Sequence, residues 1–215
     1  QMVKYFGRML SGDLGISYKQ SKPVTEVIME RLPNTLLLML TAIAFSFAVG
    51  VMCGVFSARH QYSIMDSIVT GASLIGYSAP LFWVGQILIL VFGVKQGWLP
   101  VSGMYDLRAS YTGFAKALDV AKHLILPALS LSFWFSAMVI RVTRTKMAEV
   151  LQADYIKTAS AKGLTEGRVV WGHAFRNAMG PLITVLGLEL SAVVMGATVI
   201  ETIFSWPGTG RLMYD

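Results

Sequence analysis

Four runs almost free of charge, each on the scale of a bilayer crossing, constrain this chain more than any other feature. From Leu32 to Ala58, between Arg31 and Arg59, no residue is charged. At about 1.5 Å per residue, a helix of that length crosses a hydrocarbon core about 30 Å thick. A first span is expected at 34–57. The second run, 67–94, lies between Asp66 and Lys95 and is interrupted only by glycines and Pro80, and the proline is expected to kink the helix rather than end it. The third, 123–140, is shorter. The fourth, 177–200, is bounded by Arg176 and Glu201 and holds one acid, Glu189, near its middle. None alternates with the period of two of a barrel strand, and each is too long for one. The fold class expected is all-α, a polytopic transmembrane helical bundle.

Composition agrees. Charged residues make up 14% of the chain and hydrophobic ones 54%, against roughly 25% charged in soluble domains, and the mean hydropathy is +0.59. The charges gather in clusters between the apolar runs, as loops between spans would hold them. One cysteine, Cys53, excludes a disulfide framework and a thiolate metal site. The net charge of +6 comes without a basic stripe interleaved with aromatics, so nucleic acid is not an expected partner. Gln1 to Leu10 carry Lys4 and Arg8 without a following apolar core, which does not fit a secretory signal. The chain is expected to begin mid-protein and to lack a segment after Asp215.

The 141–176 connection holds seven bases, Arg141, Arg144, Lys146, Lys157, Lys162, Arg168 and Arg176, against four in 95–122. Excess Lys and Arg mark cytoplasmic loops. Residues 58–66 then also fall in the cytoplasm, with 1–33, 95–122 and 201–215 outside. The five bases before the first span fit this less well, so the orientation rests on the long loop.

Within that loop, Asp154 and Thr165 are suited to cap helices and Gly163 to stop one, which predicts two short helices around a turn. Ala159, Ser160, Ala161 and Gly163 would let another protein approach the backbone closely. An ordinary solvated loop is the alternative that composition leaves open.

Asp154-Tyr155-Ile156-Lys157-Thr158-Ala159-Ser160-Ala161-Lys162-Gly163-Leu164, followed by His173-Ala174-Phe175-Arg176-Asn177-Ala178 and Pro181, resembles the cytoplasmic EAA loop of ABC importer permeases. The resemblance implies that 154–164 is a coupling helix docking on an ATP-binding subunit through Asp154, Tyr155, Lys157, Thr158, Ala159, Ala161, Lys162 and Gly163, the last being the motif glycine. Lys157 and Thr158 stand where Glu and Ala usually open the motif, and Pro181 lies farther from Gly163 than in sugar importers. Both departures look like the oligopeptide, dipeptide and nickel branch. Gly12-Asp13-Leu14-Gly15-Ile16-Ser17 with Pro23-Val24, and Glu201-Thr202-Ile203-Phe204-Ser205-Trp206-Pro207-Gly208-Thr209-Gly210-Arg211, carry the same likeness. The resemblance further implies six spans, of which these four would be the second to fifth. It implies as partners a second homologous permease, two ATP-binding subunits holding ATP and Mg, and an external solute-binding protein in a prokaryotic inner membrane. Peptide is the expected substrate, with nickel as the alternative.

Glu189 is costly inside a membrane, at least about 2.5 to 3.5 kcal/mol on insertion scales, and so should face a polar cavity, a partner helix or a pore. Tyr77, Trp83 and Gln86 beside Pro80, with Ser78, suit a path lined by irregular backbone, though helix packing explains them as well. Gly50 with Gly54, and Gly187 with Ser191, are expected to be packing pairs. Gly208 and Gly210 suggest a turn beside Pro207. No GxxxxGK[ST] motif is present, so ATP would be bound elsewhere. His60, His123 and His173 are too dispersed for zinc, and no catalytic triad or HExxH is visible. Arg141, Arg144 and Lys146 would suit lipid phosphates or an ATPase surface. A channel or secondary transporter using Glu189, or a membrane scaffold, are the readings from other classes.

Overall fold

The computed structural model describes residues 14–195 and 198–214, without the side chains of 192–195. Gly12, Asp13 and the Gln1 to Leu10 segment lie outside the described residues. A small antiparallel hairpin opens the described chain, β1 (Ile16–Ser17) against β2 (Lys22–Pro23), with Ile16 opposite Pro23. It feeds directly into α1 (Val24–Arg59). This helix starts well before the expected 34, because Pro33 sits inside it without stopping it. Arg59 in its last turn complements the negative end of the helix dipole.

Pro80 does more than kink the second run. The chain forms α2 (Ile64–Ser78) and α3 (Leu81–Leu88), bent by 105° at the break. Ala79 takes ψ 130°, the extended backbone forced on a residue before proline by the clash with the ring. A π-helical segment, Ile89–Lys95, prolongs α3. Ser63 caps α2 by accepting from the Asp66 N–H at 3.1 Å.

The third run becomes α4 (Gly113–Leu151), 39 residues with Pro127 inside. At about 1.5 Å per residue it is far longer than a bilayer is thick. The expected 123–140 is only its middle, and the residues after 140 continue the helix because Arg141 to Glu149 contain no breaker. α5 (Asp154–Ala161) follows. Ala153 occupies the cap position in place of Asp154, whose charge favours the first turn instead. Gly163, with φ +78°, ends this segment in the left-handed region that glycine adopts without strain. The second expected short helix is not separate: the chain turns helical at Glu166, passes through a π segment, Arg168–Ala174, and runs on as α6 (Phe175–Met195). Residues 196–197 of the expected fourth span are outside the description. Among the described residues, α1 and α4 are each long and apolar enough to cross a membrane, and the bent α2–α3 pair makes a third if taken as one span.

Residues 201–215 are more than a loop. α7 (Thr198–Ile203) and α8 (Thr209–Tyr214) flank a turn at Pro207 that folds onto the start of α1. Glu201, fully buried, accepts from Thr35 Oγ1 at 2.7 Å and from the Arg211 N–H at 2.9 Å. Thr35 Oγ1 in turn accepts from the Thr209 N–H at 2.8 Å, and Trp206 Nε1 donates to the Asn34 carbonyl at 2.9 Å. One hydroxyl thus serves two elements. Thr35→Val should cost about 2–4 kcal/mol, since it strands a buried carboxylate oxygen and a backbone N–H together. An unchanged thermal midpoint would refute that account.

The largest helix interface is α1 against α4. Two apolar clusters lie along it, one around Leu38, Met39, Leu126, Phe135, Phe204 and Trp206, the other around Val55, Val139, Met147, Ile156, Val170 and Leu182. Gly50 and Gly54 let the helices meet between them: a Cβ on Gly50 would lie 2.5 Å from Val139 Cβ, and one on Gly54 2.5 Å from Thr143 Cβ. The expected packing role of that pair is therefore seen. Gly187 differs, for a Cβ there meets nothing within 4 Å and Ser191 is exposed, its hydroxyl returned to the Gly187 carbonyl.

Candidate functional site

α5 is held by two feet. Ile156 and Ala159, one helical turn apart, are buried in the cluster with Val169, Val170 and Met147. Asp154, Tyr155, Lys157, Thr158, Ala161, Lys162 and Gly163 are exposed around them. Ala159 thus departs from its expected place on the docking surface and belongs to the anchor. Ile156, which sequence reasoning passed over, is the other foot, and its i, i+3 spacing to Ala159 was the available signal. Lys157 Nζ meets Asp154 Oδ1 at 2.9 Å in the open, a pairing of little energetic weight. No Cβ built on Gly163 would touch anything, so its role is conformational.

One charge pair links the segment just past α5 to the bundle, and a second joins α4 to α2. Arg59 at the end of α1 pairs with Glu166, just past Gly163. Arg144 on α4 grips Asp66 on α2 through both oxygens, Nε to Oδ1 at 2.6 Å and Nη2 to Oδ2 at 2.6 Å. Asp66 also accepts from the Tyr62 N–H at 2.9 Å and from Ser57 Oγ. Arg144 and Lys146, read from sequence as groups for lipid or an outside surface, thus have internal partners, Lys146 pairing with Glu149 at 2.8 Å.

Along the same helices lies a cavity of about 230 Å³ whose walls include Tyr77 of α2, Trp134, Phe135 and Met138 of α4, and Val185, Leu188 and Glu189 of α6. Glu189 is 6% exposed. Its Oε2 lies 3.5 Å from Ser46 Oγ of α1, and its Oε1 has no hydrogen-bond partner among the described residues. Tyr77 stacks on Trp134 with ring centroids 6.1 Å apart, and the Arg141 guanidinium stands 5.4 Å from the Tyr77 centroid. Of the four residues expected to line a path, Tyr77 and Glu189 meet here. Trp83 and Gln86 do not: the bend at Pro80 carries them onto α3, where both are exposed. Trp134 and Met138, spaced i, i+4, went unread because in an apolar helix that spacing looks like any packing face.

The family profile described as "Binding-protein-dependent transport system inner membrane component" matches residues 50–215. The oligopeptide transport system permease protein AppB of Bacillus subtilis (strain 168) is 44% identical over 216 residues, covering 100% of this chain and 67% of that protein. The di/tripeptide transport system permease protein DppB of Pseudomonas aeruginosa (strain UCBPP-PA14) is 42% identical over 230 residues, covering 100% of this chain and 68% of its own length. The dipeptide transport system permease protein DppB of Escherichia coli (strain K12) is 42% identical over 232 residues, with 100% and 68% covered. Among solved structures, a chain from inward-facing conformations of the MetNI methionine ABC transporter superposes with a TM-score of 0.66 at 16% identity, covering 87% of this chain and 79% of that one. At that identity the likeness speaks to the fold.

Proposed function

Because the chain belongs to the family of binding-protein-dependent transport system inner membrane components, we propose that it forms half of a translocation path for short peptides and couples it to ATP-binding subunits through α5. The relatives named for oligopeptides, di/tripeptides and dipeptides support peptide over nickel as the cargo. The partners in this reading are a second, homologous permease, two ATP-binding subunits carrying ATP and Mg, and an external solute-binding protein, with α5 on the cytoplasmic side of a prokaryotic inner membrane. The chain carries out no covalent step.

One observation carries the coupling assignment: a short helix with two buried feet, Ile156 and Ala159, and every other residue from Asp154 to Gly163 open to a partner. Such a helix adds little to its own core beyond the feet. Its exposed face is therefore free to meet another protein, and its ties to α1 and α4 would pass a push into the bundle. A motor that binds one position of α5 more tightly than the other shifts the populations of outward- and inward-open states. Tyr77 and Glu189 are assigned to the path.

Charge reversal at Lys157 and Lys162 together tests this. Lys157 has only an exposed pairing, so the fold should be unaffected. In a reconstituted complex with loaded binding protein, peptide uptake should fall about tenfold or more, because like charges set against a docking surface cost several kcal/mol. Uptake and ATP hydrolysis coupled as in the wild type would defeat the assignment.

A further inference from the structure

Three carboxylates are buried at 6% exposure or less among the described residues, and they are treated differently. Asp66 is held by Arg144, Tyr62 and Ser57, and Glu201 by Thr35 and the Arg211 N–H. Glu189 has one long contact to Ser46 and an Oε1 with no hydrogen-bond partner among the described residues, at the wall of a cavity. Buried polar atoms without a partner are rare, and each exception calls for an occupant or a role.

The chemistry of the walls narrows the occupant. The pocket is open on one side, with Tyr77, Trp134, Met138 and Leu188 each 40–64% exposed, so an occupant can enter it from outside. No group of three or more His, Cys, Asp or Glu that could hold a metal ion occurs among the described residues. A compact cation with N–H donors fits better: one donor satisfies Oε1, and the aromatic rings attract its charge. The cavity, about 230 Å³, is below the roughly 300–1,000 Å³ of sites that enclose a whole ligand. It suits one end of a chain.

We propose that Glu189 binds the N-terminal ammonium of a peptide in transit, with Tyr77 and Trp134 as its aromatic walls. Arg141, standing on the Tyr77 ring, adds a positive group beside the site that draws the opposite, carboxylate end of a short peptide and so favours zwitterions. This assignment rests on the peptide-importer reading and makes the path itself selective for a free amino terminus, apart from any choice made by the binding protein.

The test uses the assembled complex, both permeases with their ATP-binding subunits but no binding protein, in lipid nanodiscs. Saturation-transfer NMR compares L-alanyl-L-alanine with its N-acetyl derivative. The wild type should bind the free dipeptide about tenfold better, and Glu189→Gln should bring it down to the level of the acetylated probe, as expected for loss of a charge-assisted hydrogen bond. Glu189→Asp, which keeps the charge, should retain part of the preference. Equal signals from the two probes in the wild type, no signal from either, or undiminished binding in Glu189→Gln overturns the assignment. So does dissociation of the second permease from the Glu189→Gln complex on size exclusion, since the carboxylate would then be answering a basic side chain of that subunit. Dialanine uptake by the wild type with loaded binding protein is measured in parallel. Uptake without discrimination at Glu189 defeats this proposal alone, whereas failure to take up any peptide defeats the importer reading.

Discussion

Arg144→Ala should destabilise the chain by about 3 kcal/mol or more, the cost of leaving a buried carboxylate without its ion-pair partner. Asp66 is 3% exposed and receives two guanidinium bonds of 2.6 Å. The remaining contacts from the Tyr62 N–H and the Ser57 and Thr70 hydroxyls cannot neutralise its charge. The loss matters more because α2 has little else to hold it: its buried residues are Asp66, Ser73 and Gly76, none of them a large apolar side chain. Arg144→Lys should fall between, keeping the charge without the planar fork that meets both oxygens. Asp66→Asn with Arg144→Gln should cost less than Arg144→Ala alone, because no unpaired charge stays behind. Thermal unfolding in detergent measures all three, and an Arg144→Ala midpoint equal to the wild type would remove Asp66 as the tie of α2. In a working complex the same variants should depress transport, since α2 runs from this clasp to Tyr77 at the cavity.

The second large effect is expected at the α1–α4 seam. Gly50→Ala with Gly54→Ala places methyl groups 2.5 Å from Val139 Cβ and 2.5 Å from Thr143 Cβ, and the latter also 2.9 Å from the Ile140 carbonyl oxygen. The helices must separate. Each insertion into a packed core costs about 1–3 kcal/mol, with the second smaller once the first has parted the helices. The control is Gly187→Ala on α6, where the new methyl meets nothing and helix propensity improves. That variant should melt at or slightly above the wild type. If the double variant melts with it, the close approach at 50 and 54 is not what positions α4.

How much of this was legible varies with the range of the forces involved. The all-α class and the approximate centres of the helices follow from runs without charge, because lipid rewards continuous apolar helix whatever its neighbours. The contact face of Gly50 and Gly54 and the stop at Gly163 were readable for a related reason: missing Cβ atoms report close approach or a left-handed backbone locally. Helix ends were less so. Pro33, Pro127 and Pro181 sit inside helices while Pro80 stands at the break between two, a difference that residue type alone does not signal.

The sites depended most on tertiary structure. Glu189 could be singled out as an expensive residue, but its surroundings could not, since Ser46 is 143 positions away. Asp66 read as the edge of a loop until α4 placed Arg144, 78 positions later, against it. Thr35 and Glu201, 166 positions apart, looked like an ordinary helix residue and a loop acid. By itself, then, the sequence determined that the chain prefers lipid as its solvent, roughly where its long apolar helices are centred and which loop resembles a coupling motif, because those properties depend on residues near one another along the chain. Only the tertiary structure decided which acids are tied down, which one is left open and where α2 turns away, because those outcomes depend on side chains that folding brings together from distant parts of the chain.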